Sequence, residues 1–83
     1  MTRIDELLAN AAARLGENGV DEPRRNASSL MSFAIGRDRT FLIAHPEHEC
    51  TEAEIERFES AVVRRASREP LQQITGSQEF FGL

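Results

Sequence analysis

Thr51-Glu52-Ala53-Glu54-Ile55-Glu56-Arg57-Phe58-Glu59-Ser60-Ala61-Val62-Val63-Arg64-Arg65-Ala66-Ser67 holds the start, face and charge order of an amphipathic helix in one run. Thr51 can accept from the backbone of Glu54, whose carboxylate can reach back to the Thr51 N–H in a reciprocal capping box. Ile55, Phe58, Val62 and Ala66, helped by Ala61, recur at helical spacing and predict one buried stripe. Glu52, Glu54, Glu56 and Glu59 crowd the start, while Arg64, Arg65 and Arg68 crowd the end, the order that a helix dipole favours. Cys50 and Ile55 stand at the staple positions around the cap, so Cys50 reads as a small packed apolar residue rather than a reactive thiol. One apolar stripe cannot be stable alone, and the residues upstream supply its covers.

His45-Pro46 ends a short helix predicted over 39–44, capped by Asp38 and anchored by Phe41, Leu42 and Ile43. His45, Glu47, His48, Glu49 and Cys50 are all metal-ligand types, but their spacing matches no zinc pattern and the segment reads as a helix-breaking loop. Before it, Ala27, Leu30, Met31, Ala34 and Ile35 mark the buried face of a helix that starts near Pro23 and stops at Gly36. Asp21 is its expected cap, Val20 packs back on it, and Arg24, Arg25, Ser28 and Ser32 face away. Asn26-Ala27-Ser28 has the N-glycosylation pattern, but inside a helix it reads as chance. The first helix carries Ile4, Leu7, Leu8, Ala11, Ala12 and Leu15 on one side. Thr2 is its expected cap with Asp5 as reciprocal partner, Gly16 its stop, and Gly19 loosens the turn.

Downstream, Pro70 cannot continue a helix and biases Glu69 towards extended backbone. Leu71 to Thr75 has room for one or two helical turns, with Gly76 as a left-handed stop. Phe80-Phe81-Gly82-Leu83 reads as the first half of a strand whose partner lies elsewhere. The expected architecture is all-α: a compact bundle of four helices plus a short fifth over residues 1–76, then the start of a linker strand or hairpin over 77–83. No strand is expected before Phe80. An apolar end of this kind suggests a domain cut from a longer chain, and 77–83 are expected to fray without their downstream partner.

Composition sets outer limits. At 83 residues the chain is one domain near the lower size limit for a core without metal or disulfide support. A single cysteine allows no internal disulfide, and with no charged-then-apolar leader a reducing, cytoplasmic setting is expected. No apolar run approaches the ~20 residues of a membrane span. The net charge of −4 argues against nucleic acid as main partner, since phosphate binding depends on a positive field. Every basic residue is Arg, which favours planar, bidentate contacts, though a genome's base composition can produce the same bias. The sequence shows no glycine-rich phosphate loop, nucleophile elbow or supported His-Cys or Ser-His-Asp set, and so small a bundle leaves little room for a pocket of ~300–1,000 Å³. These 83 residues alone read as non-catalytic, without cofactor or metal.

The segment from Glu69 to Leu83 resembles the domain junction of the peptide chain release factor N5-glutamine methyltransferases, the HemK/PrmC family. That junction has the form Arg/Gly-Glu-Pro-Leu-Gln-Tyr-Ile-x-Gly followed by Glu-Phe-x-Gly-Leu. Glu69, Pro70, Leu71, Gln72, Ile74, Gly76, Glu79, Phe80, Gly82 and Leu83 match it, while Gln73 stands where the family has an aromatic residue. The resemblance extends through Leu7-Leu8, Pro23, Leu30-Met31, Gly36, Leu42-x-x-His45-Pro46 and the Thr51-led helix with Phe58 and Arg64-Arg65. It implies a parent enzyme that uses S-adenosylmethionine to methylate the glutamine of the Gly-Gly-Gln loop in class 1 release factors. In the family that chemistry belongs to a Rossmann-like methyltransferase domain with an Asn-Pro-Pro-Tyr motif. The motif does not occur here, so no catalytic or cofactor residue carries over to this sequence. The implied role is to hold the release factor, and the expected docking set is Arg24, Arg25, Arg64, Arg65 and Arg68, because release factors are generally acidic. Two alternatives stay open: the same family acting on a ribosomal-protein glutamine, or a free-standing helical interaction module, such as a helix-turn-helix using the Gly36 turn.

Overall fold

The computed structural model describes residues 2–75. Five helices follow one another: α1 (Ile4–Glu17), α2 (Pro23–Ile35), α3 (Arg39–Ala44), α4 (Glu52–Ala66) and α5 (Leu71–Thr75). Two short strands, β1 (Thr2–Arg3) and β2 (Glu49–Cys50), pair antiparallel with Thr2 opposite Cys50 and Arg3 opposite Glu49. The all-α expectation is met, with this small ladder as an addition that the sequence reading did not anticipate.

The apolar stripes meet as their spacing requires. Ile4, Leu7, Ala11, Ala12 and Leu15 of α1, Ala27, Leu30, Met31 and Ala34 of α2, and Phe58, Ala61 and Val62 of α4 form one buried core. Leu42, Cys50 and Ile74 close its edges, and no polar side chain is buried among the described residues. Burial therefore stabilises the fold with no buried charge to compensate. Cys50 is wholly enclosed, and its thiol is pushed up by burial and then by the Glu54 carboxylate. Ile43, expected as an anchor of α3, is 81% exposed, so Leu42 and the half-buried Phe41 hold that helix.

The helix ends divide into local and remote solutions. At α4 the capping box is complete: the Glu54 N–H donates to Thr51 Oγ1 at 3.1 Å, and the Thr51 N–H donates to Glu54 Oε1 at 2.9 Å. Asp38 caps α3 as expected, accepting from the Phe41 N–H at 3.0 Å. At α1 the expectation fails, because Thr2 is drawn into the ladder and Arg3 becomes the N-cap with no side-chain cap bond. The free amides of Ile4 and Asp5 instead donate to the carbonyls of His48 at 2.8 Å and Pro46 at 3.1 Å. Asp21 does not cap α2 either; Glu22, in left-handed backbone at φ 51°, is the N-cap, with Pro23 as first helical residue.

The stop of α1 is also displaced. Gly16 lies inside the helix, and Gly19 at φ 80° makes the left-handed turn, with the Val20 N–H donating to the Leu15 carbonyl at 3.0 Å. α4 closes with the same bond pattern, Glu69 N–H to Arg64 O and Arg68 N–H to Arg65 O, but its left-handed residue is Arg68 at φ 76°. Gly36 stops α2 as expected. α5 lies against α2 and α4, with Ile74 buried and Leu71 half-buried. Gly76 and the linker start expected over 77–83, including Phe80, Gly82 and Leu83, lie outside the described residues.

Candidate partner-docking surface

The arginines sort by what their guanidinium groups touch. Arg65, at the end of α4, donates from Nε to Asn26 Oδ1 at 2.8 Å and from Nη1 to the Glu69 carbonyl at 3.0 Å. Arg68 reaches from Nε to the Asn18 carbonyl at 3.2 Å. Arg64 grips Glu69 with two bonds, Nε to Oε1 at 3.0 Å and Nη2 to the other carboxylate oxygen. The hydrogen bond from Arg64, more than charge alone, holds the Glu69 carboxyl below its ordinary range and pushes the Arg64 guanidinium up. Arg25 pairs with Glu22 at 3.1 Å across an exposed turn, and Arg24 is exposed with no partner among the described residues.

The fold thus brings Arg65 and Arg68 to the start of α2 and the α1–α2 turn, near Arg24 and Arg25. It also turns Arg64, Arg65 and Arg68 onto groups of this chain. The junction residues share in that construction. Glu69 supplies both a carboxylate and a carbonyl, and the Pro70 carbonyl accepts from the amides of Gln73 at 3.0 Å and Ile74 at 3.3 Å. Leu71 packs against the core, while Gln72 and Gln73 are exposed, so a polar residue at 73 costs the core nothing.

The other end of α2 is different. An open groove of about 530 Å³ runs between α2, the start of α3 and α5, lined by Ser29, Ser32, Phe33, Arg37, Arg39 and Leu71. So small a bundle was expected to leave little room for a pocket, and this recess is an open surface groove rather than an enclosed one. Phe33 is 44% exposed, off the buried stripe of α2. It also borders a narrower groove of about 340 Å³ that reaches Ala61 and Ile74. Arg37 stacks on Phe41 with its guanidinium carbon 4.6 Å from the ring centroid, and Arg39 has no hydrogen bond or ion pair among the described residues. Sequence reasoning passed over this site. A phenylalanine out of step with the stripe, three residues before a helix stop and beside two arginines, was the signal available.

Other chemistry is sparse. The His45 ring nitrogen Nδ1 lies 3.7 Å from Glu47, and the Phe41 ring packs tilted against His45 and edge-on against His48. Among the described residues no group of three His, Cys, Asp or Glu is arranged to hold a metal ion, and no helix is long and apolar enough to cross a membrane. The fold and this surface define a small helical domain with an open, mixed apolar and cationic groove.

Comparison with known proteins makes that class specific. Residues 6–76 match the family model described as the PrmC N-terminal domain, and the chain belongs to that family. It is 45% identical over 79 residues to a release factor glutamine methyltransferase of Koribacter versatilis, covering 95% of this chain and 28% of the relative. A release factor glutamine methyltransferase of Moorella thermoacetica is 41% identical over 80 residues, covering 96% and 28%. A bifunctional methyltransferase of Rickettsia bellii is 33% identical over 78 residues, covering 94% of this chain and 14% of its own length. The chain therefore spans less than a third of the curated relatives it matches. No solved structure matches it.

Proposed function

We propose that this chain is the substrate-holding domain of a cytoplasmic protein-glutamine N5-methyltransferase that modifies the Gly-Gly-Gln glutamine of class 1 peptide chain release factors. The observation that carries this reading is the match of residues 6–76 to the PrmC N-terminal domain, together with relatives named release factor glutamine methyltransferase at 41–45% identity. An enzyme that modifies one loop of a large protein gains rate and selectivity from remote contacts that fix the target's position. A rigid helical domain with an exposed groove suits that task.

S-adenosylmethionine is the methyl donor this function requires, supplying an electrophilic methyl group on a sulfonium. The wide groove of this domain does not fit it. Among the described residues its charged lining is Arg37 and Arg39, which suit the methionine carboxylate but repel the sulfonium and the ammonium, and no carboxylate lines it to take ribose hydroxyls. Cofactor binding and methyl transfer are accordingly assigned to the remainder of the enzyme, and these residues to capture.

The test is a methylation assay with the full-length enzyme, an intact class 1 release factor and an intact ribosomal-protein substrate, followed by mass spectrometry of the modified residue. Methyl transfer to the Gly-Gly-Gln glutamine supports the proposal. Transfer to the ribosomal protein alone overturns it in favour of the related substrate.

A further inference from the structure

We infer that the groove between α2 and α5 docks an acidic segment of the protein substrate that carries an apolar side chain beside its carboxylates. The inference rests on the function proposed above and specifies where that substrate is held. Three independent features converge on it.

The first is the floor. The stripe of α2 sends Ala27, Leu30, Met31 and Ala34 inward, so the phenylalanine at 33 lies off the core and stays 44% exposed. Phe33 and Leu71 together make an apolar floor on which a partner's side chain gains burial that this chain does not provide.

The second is the charge. The chain has 14 acidic and 10 basic residues, so a cation here has more than enough carboxylates to choose from. Arg3, Arg14, Arg25 and Arg64 each take one. Among the described residues Arg37 and Arg39 do not, although Asp38 lies between them, because its carboxylate is committed to the Phe41 amide as the cap of α3. An incoming carboxylate meets two arginines at the groove that no carboxylate of the described residues occupies. Arg37 is already oriented by the Phe41 ring, so less ordering is needed when it binds.

The third is the shape. The recess is an open trough rather than a closed cavity, which suits a segment of polypeptide crossing it. A phosphate backbone would satisfy the two arginines but leave Phe33 and Leu71 without a partner, and the net charge of −4 opposes it over distance.

The experiment compares full-length enzyme carrying Arg39→Glu, Phe33→Ser or, as a control in the exposed first turn of α4 away from the groove, Ala53→Glu. Arg39→Glu places an acid in the first turn of α3, where the helix favours it, so that variant keeps its fold even if Phe33→Ser melts earlier. Each is assayed on intact release factor and on a short peptide bearing the Gly-Gly-Gln glutamine. The expected result is a rise in KM for the intact substrate of about tenfold for both groove variants, the size of one substantial interface contact, with kcat and peptide KM unchanged. The Arg39→Glu effect shrinks as salt is raised, and the Phe33→Ser effect persists. Unchanged KM for intact substrate in Arg39→Glu overturns the groove while leaving the proposed function standing, as does an equal loss on the peptide. A wild-type enzyme that methylates no release factor overturns the function itself. Tight binding of a fluorescent RNA that Arg39→Glu abolishes would identify the groove as a phosphate site and overturn the assignment.

Discussion

The two ends of α2 carry arginines that look alike in sequence and behave differently in the fold. At its start, Arg65 and Arg68 reach across from α4 to Asn26 and Asn18, while Arg64 closes on Glu69. These side chains stitch the end of α4 to the α1–α2 turn and to the start of α5. At its other end, Arg37 and Arg39 flank an apolar trough and pair with no carboxylate among the described residues. A cluster of cations is thus not one kind of feature. Those with a carbonyl or carboxylate of their own chain contribute to stability, and those without one are available to a partner.

The sharpest way to break this contrast is to remove the guanidinium of Arg65. Arg65→Ala leaves the Asn26 amide oxygen and the Glu69 carbonyl without their donor, and a loss of about 1–3 kcal/mol in urea unfolding is expected. Arg39→Ala in the same assay is expected within about 0.5 kcal/mol of wild type. Equal losses would abolish the distinction between the two ends. A smaller effect sharpens it at Arg68, whose left-handed backbone opposes the contact its side chain makes. Arg68→Gly and Arg68→Ala both lose the bond to Asn18, so their difference isolates the backbone; the glycine variant should be more stable by about 1 kcal/mol. Equal melting temperatures would show the left-handed turn to be unstrained.

The smallest effect concerns pH. Because the Glu69 carboxyl is held below its ordinary value of 4.5, the folded chain binds fewer protons there than the unfolded chain. Its stabilisation is present above that value and is lost as pH falls through the lowered one. Glu69→Gln should slightly flatten the acid limb of a stability-against-pH curve, and a steeper limb would contradict the assignment. Both groups are open to solvent, so the change is slight.

What was legible in the sequence follows the same division between local and remote. The Thr51–Glu54 box and the Asp38 cap involve residues three apart, and both form as read. The start of α1 was misread because its donors find carbonyls at His48 and Pro46, more than forty positions away. Nothing near Thr2 announces that ladder. The closings of α1 and α4 make the point at one spot, since Arg68 touches the turn that contains Gly19. A glycine at φ 80° is readable, whereas an arginine at φ 76° is visible only once its side chain is seen to be held by Asn18. The side-chain partners of the docking set were not legible for the same reason. Charge patterning identified cations, but only the packing of α4 against α2 decides which are occupied. Phe33 was legible as an outlier from its stripe, yet the groove beside it depends on where α5 settles.

The most direct measurement is a titration of isotope-labelled 83-residue chain with unlabelled, intact class 1 release factor, followed by backbone amide shifts. The prediction is saturable shifts concentrated at Phe33, Arg37, Arg39 and Leu71, with the start of α2 unaffected. Shifts confined to Arg24 and Arg25, or none at saturating release factor, would contradict it.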